Sequence, residues 1–158
     1  MKSDELTVLR KQLASALTGS ETHIDFESAL HDFPSKVRGV KPHGLPHTAW
    51  QLLEHMRIAQ NDILEFSRNP NHQSPKFPEG YWPGAEAPPD DATWDASIRA
   101  FQKDARELKE LTQRGDLFTP FQHGQGQTLL REILLVATHN SYHLGQLVLL
   151  KKMLLSGG

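Results

Sequence analysis

The chain has 158 residues, a hydrophobic fraction of 37%, a charged fraction of 23% and a formal net charge of −2, which sets the expectation of one globular domain over residues 1–158. No apolar run approaches the roughly 20 residues of a membrane span, and no basic run exceeds Lys151-Lys152, so neither a membrane nor a nucleic-acid partner is expected. The absence of cysteine excludes disulfides, iron–sulfur clusters, thiolate zinc sites and a cysteine nucleophile, and leaves nitrogen and oxygen as the only metal donors.

Met1-Lys2-Ser3-Asp4-Glu5 lacks the apolar core of a signal peptide, so a cytoplasmic location is expected. From Asp4, apolar residues at Leu6, Leu9, Leu13 and Leu17 recur every three or four positions and predict a helix with one apolar face. Gly19-Ser20 interrupts it. Ile24, Phe26, Ala29, Leu30 and Phe33 then predict a shorter helix, or a continuation after a kink, ended by Pro34. Residues 34–47, rich in proline and glycine, read as a loop.

Thr48 followed by Gln51, just after Pro46 and before an apolar run, matches a capping box and predicts a helix from there to about Arg68. Projected at 100° per residue, its core face holds Leu52, His55, Ala59, Ile63 and Phe66, while Glu54, Arg57 and Glu65 lie off that stripe. Asp62 also faces inward, two turns from His55, either as an acceptor behind a ligand or as a satisfied polar group at the core edge. Residues 69–92 are proline-rich and aperiodic, a long connection of the kind that carries function or crosses a bundle. Phe77, Tyr81 and Trp82 are expected to anchor it.

A third amphipathic helix over about 93–113 carries Trp94, Ile98, Phe101, Ala105, Leu108 and Leu111, and Gly115 and Pro120 close it. The last helix follows Gly124 and Gly126, with Thr128 as N-cap and the Ser156-Gly157-Gly158 tail as its end. No alternating strand pattern competes anywhere. The fold class is therefore all-α, a four-helix bundle with a long crossover connection.

On the last helix Glu132, Val136, His139, His143, Gln146, Leu147 and Leu150 project within about a quarter-turn, so polar groups interrupt an apolar stripe. His139 and His143 lie one turn apart on one face, the spacing that lets two imidazoles grip one ion. Buried imidazoles need a hydrogen-bond network or a metal; the pair could be ligands or hydrogen-bonded histidines, and His55 a ligand or a satisfied core histidine. Glu132 is about 10 Å along the axis from His139 at about 1.5 Å per residue, too far to share its ion. It fits a group behind the ligands, a substrate contact or a complement to the helix dipole. His123 could line the pocket mouth or be a surface histidine. His23, His31, His43, His47 and His72 read as solvated or capping, and Tyr142, about 100° off the histidine face, as a packing residue.

Trp50-Gln51-Leu52-Leu53-Glu54-His55, with His139-Asn140-Ser141-Tyr142-His143-Leu144-Gly145-Gln146 on the last helix, resembles the DinB family of small metal-binding four-helix proteins, which includes YfiT-like enzymes. The resemblance covers most of the chain, including the early helix-kink-helix and the proline-rich connection. It implies His55, His139 and His143 as three ligands with open positions for water or substrate; Gln146, on the histidine face by projection, could stand behind them or line the pocket. Such a site fits a divalent ion, namely zinc, nickel, iron(II) or manganese, with zinc or nickel preferred. The family's activities imply a metal-dependent enzyme of thiol S-transferase or hydrolase type acting on a small molecule, with a low-molecular-weight thiol as cosubstrate. The alternative is a non-catalytic metal- or ligand-binding stress-response protein. Homodimers through an exposed helix face are common in the family.

Overall fold

The computed structural model describes residues 3–156, and among them every regular element is helical. α1 spans Ser3–Thr18, α2 Phe26–Leu30, α3 Ala49–Arg68, α4 Asp91–Arg114 and α5 Leu129–Ser156, with single 3₁₀ turns at Ser35–Val37 and Glu79–Tyr81. α1, α3, α4 and α5 form the four-helix bundle, and α2 is the short helix expected after the kink. No helix among the described residues is long and apolar enough to cross a membrane. Of the tail expected to end the last helix, Gly157 and Gly158 lie outside the described residues.

The helix starts follow from their caps. Thr48 accepts from the Gln51 N–H and the Gln51 side chain accepts from the Thr48 N–H, both at 3.1 Å, closing the capping box. Thr128 Oγ1 accepts from the Arg131 N–H at 3.3 Å, the N-cap expected for α5. α4 begins at Asp91, two residues before the expected start, because Asp90 accepts from the Thr93 N–H at 2.7 Å and so sets the first turn. Gly19 ends α1 with φ of +66°, and the His23 ring lies where a Cβ on that glycine would stand, 2.3 Å away.

α3 is the central element, packed against α4 on one side and α5 on the other, while α1 closes the bundle against α4 and α5. Leu53, Met56, Leu64, Leu108, Ile133 and Leu150 are fully buried where these helices meet. Around the N-terminal half of α3 an aromatic layer forms: Phe26 of α2 stacks on Phe101 at 3.9 Å, and Trp94 meets both Phe33 and Trp50 with Arg38 over its ring. Because α3 is covered on two sides, its buried surface is wider than one stripe. Glu54, placed off the core face by projection, is buried at 9% exposure, paired with Arg57 at 2.8 Å and bonded by Ser97 Oγ of α4. A buried carboxylate is tolerated there because both partners accompany it.

Residues 69–90 connect α3 to α4 and return along α3. Tyr81 and Trp82 are half-buried anchors, as expected. Phe77 is not: its side chain is 81% exposed. Its nearest aromatic neighbour is Tyr81, with centroids 6.2 Å apart, so the ring rests on the outside of the connection rather than under it.

Candidate metal centre

The register of α3 and α5 brings His55, His139 and His143 together although 84 and 88 residues separate His55 from the other two. His55 and His143 are buried and His139 is half-buried. The Nε2 atom of His55 lies 3.1 Å from Nε2 of His139 and 3.1 Å from Nε2 of His143. All three residues offer a ligand atom within 4.8 Å of the others, a group that could hold one metal ion.

The far sides of two rings decide what those nitrogens present. His55 Nδ1 lies 2.9 Å from the Tyr81 carbonyl oxygen. A carbonyl can only accept, so Nδ1 carries the proton and Nε2 keeps its lone pair. His143 Nδ1–H donates in the same way to Gln146 Oε1 at 2.8 Å, and its Nε2 is likewise a bare acceptor. Two lone pairs therefore face each other across 3.1 Å with no proton between them. That arrangement is repulsive unless a cation sits among the nitrogens, and it is the donor set an ion needs. A proton is a poor substitute there. Burial pushes the basicity of all three imidazoles down, and with the neighbouring His143 and His55 it takes His139 to about 4.

Trp82 of the crossover lies flat against His55, centroids 3.8 Å apart and planes 2° from parallel. On its other side His47 stacks at 3.9 Å and 13°. The indole is thus held between two imidazoles and fixes the plane of His55. His47 is half-buried and stacked on Trp82 rather than the solvated or capping residue expected, and burial lowers its basicity too.

Gln146 stands directly behind His143, the position its place on the histidine face implies. Asp62 is buried but does not reach His55. Its Oδ1 accepts from His72 Nε2–H at 2.7 Å and its Oδ2 from the Tyr81 hydroxyl at 2.6 Å. Asp62 therefore acts on His55 only through Tyr81, and His72 is an interior partner rather than a solvated residue. Burial and the adjacent carboxylate push the Tyr81 phenol up to about 12, so it remains a donor.

Glu132 and His123 lie away from the centre. Glu132 is buried in the first turn of α5 and pairs with Arg131 at 2.5 Å, the helix-dipole complement among its expected roles. His123 is exposed, and its Nε2 bonds the Phe66 carbonyl at 2.9 Å, near the C-terminal end of α3 and about 16 Å along that helix from His55. His23 joins Ser141 Oγ at 2.9 Å on the outer side of α5, while His31 and His43 are exposed. Tyr142 is 66% exposed and meets only the edge of His143, so it is not packed within the bundle.

Trp82, His47, His72 and the Tyr81 carbonyl are the participants that helical periodicity does not find. All lie in aperiodic segments. The adjacent aromatic pair Tyr81-Trp82 inside a proline-rich connection is the one local signal of them.

A family model described as the DinB superfamily matches residues 20–147. No curated protein and no solved structure matches the chain.

Proposed function

Because this chain belongs to the DinB superfamily and gathers three imidazoles around one point, we propose that it binds a divalent metal through His55, His139 and His143 and is a metal-dependent enzyme of thiol S-transferase or hydrolase type. The observation that carries this reading is the meeting of two bare Nε2 acceptors at 3.1 Å, each fixed by a proton donated away on its far side. An ion held there supplies Lewis acidity to a water or a thiol of the substrate pair.

The chain's own groups orient and shelter that ion. Tyr81 and Gln146 fix the ring tautomers, and Trp82 fixes the plane of His55 and keeps water from its face. Three protein donors leave coordination positions open, as a catalytic site requires. The half-burial of His139 favours access on its side over the closed shell of a structural ion. Zinc and nickel suit an all-imidazole set best among the candidates. A thiol, in this chain without cysteine, would arrive as a cosubstrate. Leu135, Tyr142 and Leu149, exposed along α5, offer the face for a homodimer.

Metal analysis of protein purified without an affinity tag is the test. Near-stoichiometric metal in the unaltered chain, lost in His139→Ala, is expected. Metal in neither protein overturns the reading. With metal bound, turnover of electrophiles in the presence of cellular thiols, or of hydrolysable esters and amides, separates the two reaction types. No metal-dependent turnover with either favours the non-catalytic binding protein.

A further inference from the structure

The crossover is fastened to α3 not only at the histidine cluster but also at the buried carboxylate of Asp62. This carboxylate sits on α3 two turns beyond His55, is 9% exposed, and spends each oxygen on a different end of one loop: His72 at 2.7 Å and the Tyr81 hydroxyl at 2.6 Å. Residues 72–81 are thereby closed on themselves and fastened to α3 at one point. Tyr81 then turns its backbone carbonyl to His55 Nδ1 at 2.9 Å. One residue on, Trp82 lies on the His55 ring. On α5, His139 and His143 meet His55 at its Nε2, 3.1 Å away, while the proton on Nδ1 is held by residue 81 and the stacked face of the ring by residue 82.

We propose that Asp62 is a positioning residue for the metal centre: by clamping His72 and Tyr81 it holds the Tyr81 carbonyl against His55 and so keeps Nε2 the unprotonated, metal-facing nitrogen. This inference rests on the metal-binding reading for its consequence, a tighter site. It has a part that does not, the tautomer of His55 in the metal-free chain. A carbonyl is an acceptor only and selects the Nδ1–H form when it is in place. Groups that orient a ligating histidine in this way contribute about 10–100-fold to metal affinity.

Three variants of the full chain separate the clamp from general stability. Asp62→Ala removes both bonds, Tyr81→Phe removes one while leaving the backbone carbonyl present, and Asp62→Glu offers the carboxylate again. Two readouts are taken: the ring-nitrogen pattern of His55 by nitrogen-15 NMR in metal-free protein, and the zinc dissociation constant by competition with a chromophoric chelator. The expected result is a His55 signal of the Nδ1–H type in the unaltered chain. Asp62→Ala and Tyr81→Phe should shift it toward Nε2–H and weaken zinc binding at least tenfold, and Asp62→Glu should restore part of both. If Asp62→Ala fails to fold, Tyr81→Phe carries the test. A His55 tautomer and zinc affinity unchanged in Tyr81→Phe overturn the inference while leaving the metal site standing. Absence of zinc binding in the unaltered chain overturns the metal reading, and the NMR pattern alone then decides whether the clamp sets the tautomer.

Discussion

Trp82 and His55 lie face to face, 3.8 Å between centroids and 2° from parallel, although one comes from a proline-rich crossover and the other from the middle of α3. The contact places an indole within a few ångströms of the point where the imidazoles meet, while the other two tryptophans, Trp50 and Trp94, belong to the aromatic layer of the core.

That placement makes Trp82 a reporter. Loading the protein with a paramagnetic ion such as copper(II) or cobalt(II) should quench intrinsic fluorescence, and most of the quenching should vanish in Trp82→Phe. Quenching that persists in full in the variant would mean the ion sits elsewhere. Trp82→Leu removes the ring stacked on both His47 and His55; with each stacked pair worth about 0.5–1.5 kcal/mol, the loss should be visible by urea unfolding of the metal-free protein.

Acid should weaken the metal-free fold through the histidine cluster. Burial lowers the basicity of His47, His55 and His143 and takes His139 to about 4, so the unfolded chain takes up protons at these positions before the native one does. Stability from this source is complete above the ordinary histidine range, near 6.5, and is lost as pH falls from there through about 4. The urea midpoint should drop across that interval less steeply in His139→Gln than in the unaltered chain. Parallel pH profiles would show that His139 does not carry the effect.

The helical half of this picture was legible in the residues themselves. His55, His139 and His143 sit on periodic elements, and a period of 3.6 fixes where a side chain points once the helix is placed. Gln146 was legible for the same reason. Trp82, Tyr81, His47 and His72 were not, because a proline-rich segment has no period and its path is set by distant contacts such as Asp62. Glu54 failed differently. A single stripe assumes one buried face, and α3 has two.

The turn after α1 offers a stability test unconnected with the metal. Gly19 has φ of +66° and its missing Cβ leaves room for the His23 ring, which reaches Ser141 of α5. Gly19→Ala should cost about 1–2 kcal/mol for the left-handed backbone alone, with the displacement of His23 added. The urea midpoint checks it, and an unchanged midpoint would show that the turn adopts another conformation.

His55 and His139 are 84 residues apart in the chain and 3.1 Å apart in space. An ion joining them would therefore act as a cross-link. Unlike a disulfide, it is released when the chain unfolds, so it contributes through binding to the folded state, about 2.7 kcal/mol when free metal is about one hundred times the dissociation constant, a sizeable share of the stability of a small domain. A protein without cysteine would thus own a staple that can be withdrawn by a chelator and returned by dialysis, and its thermal midpoint would climb with free metal concentration as mass action requires.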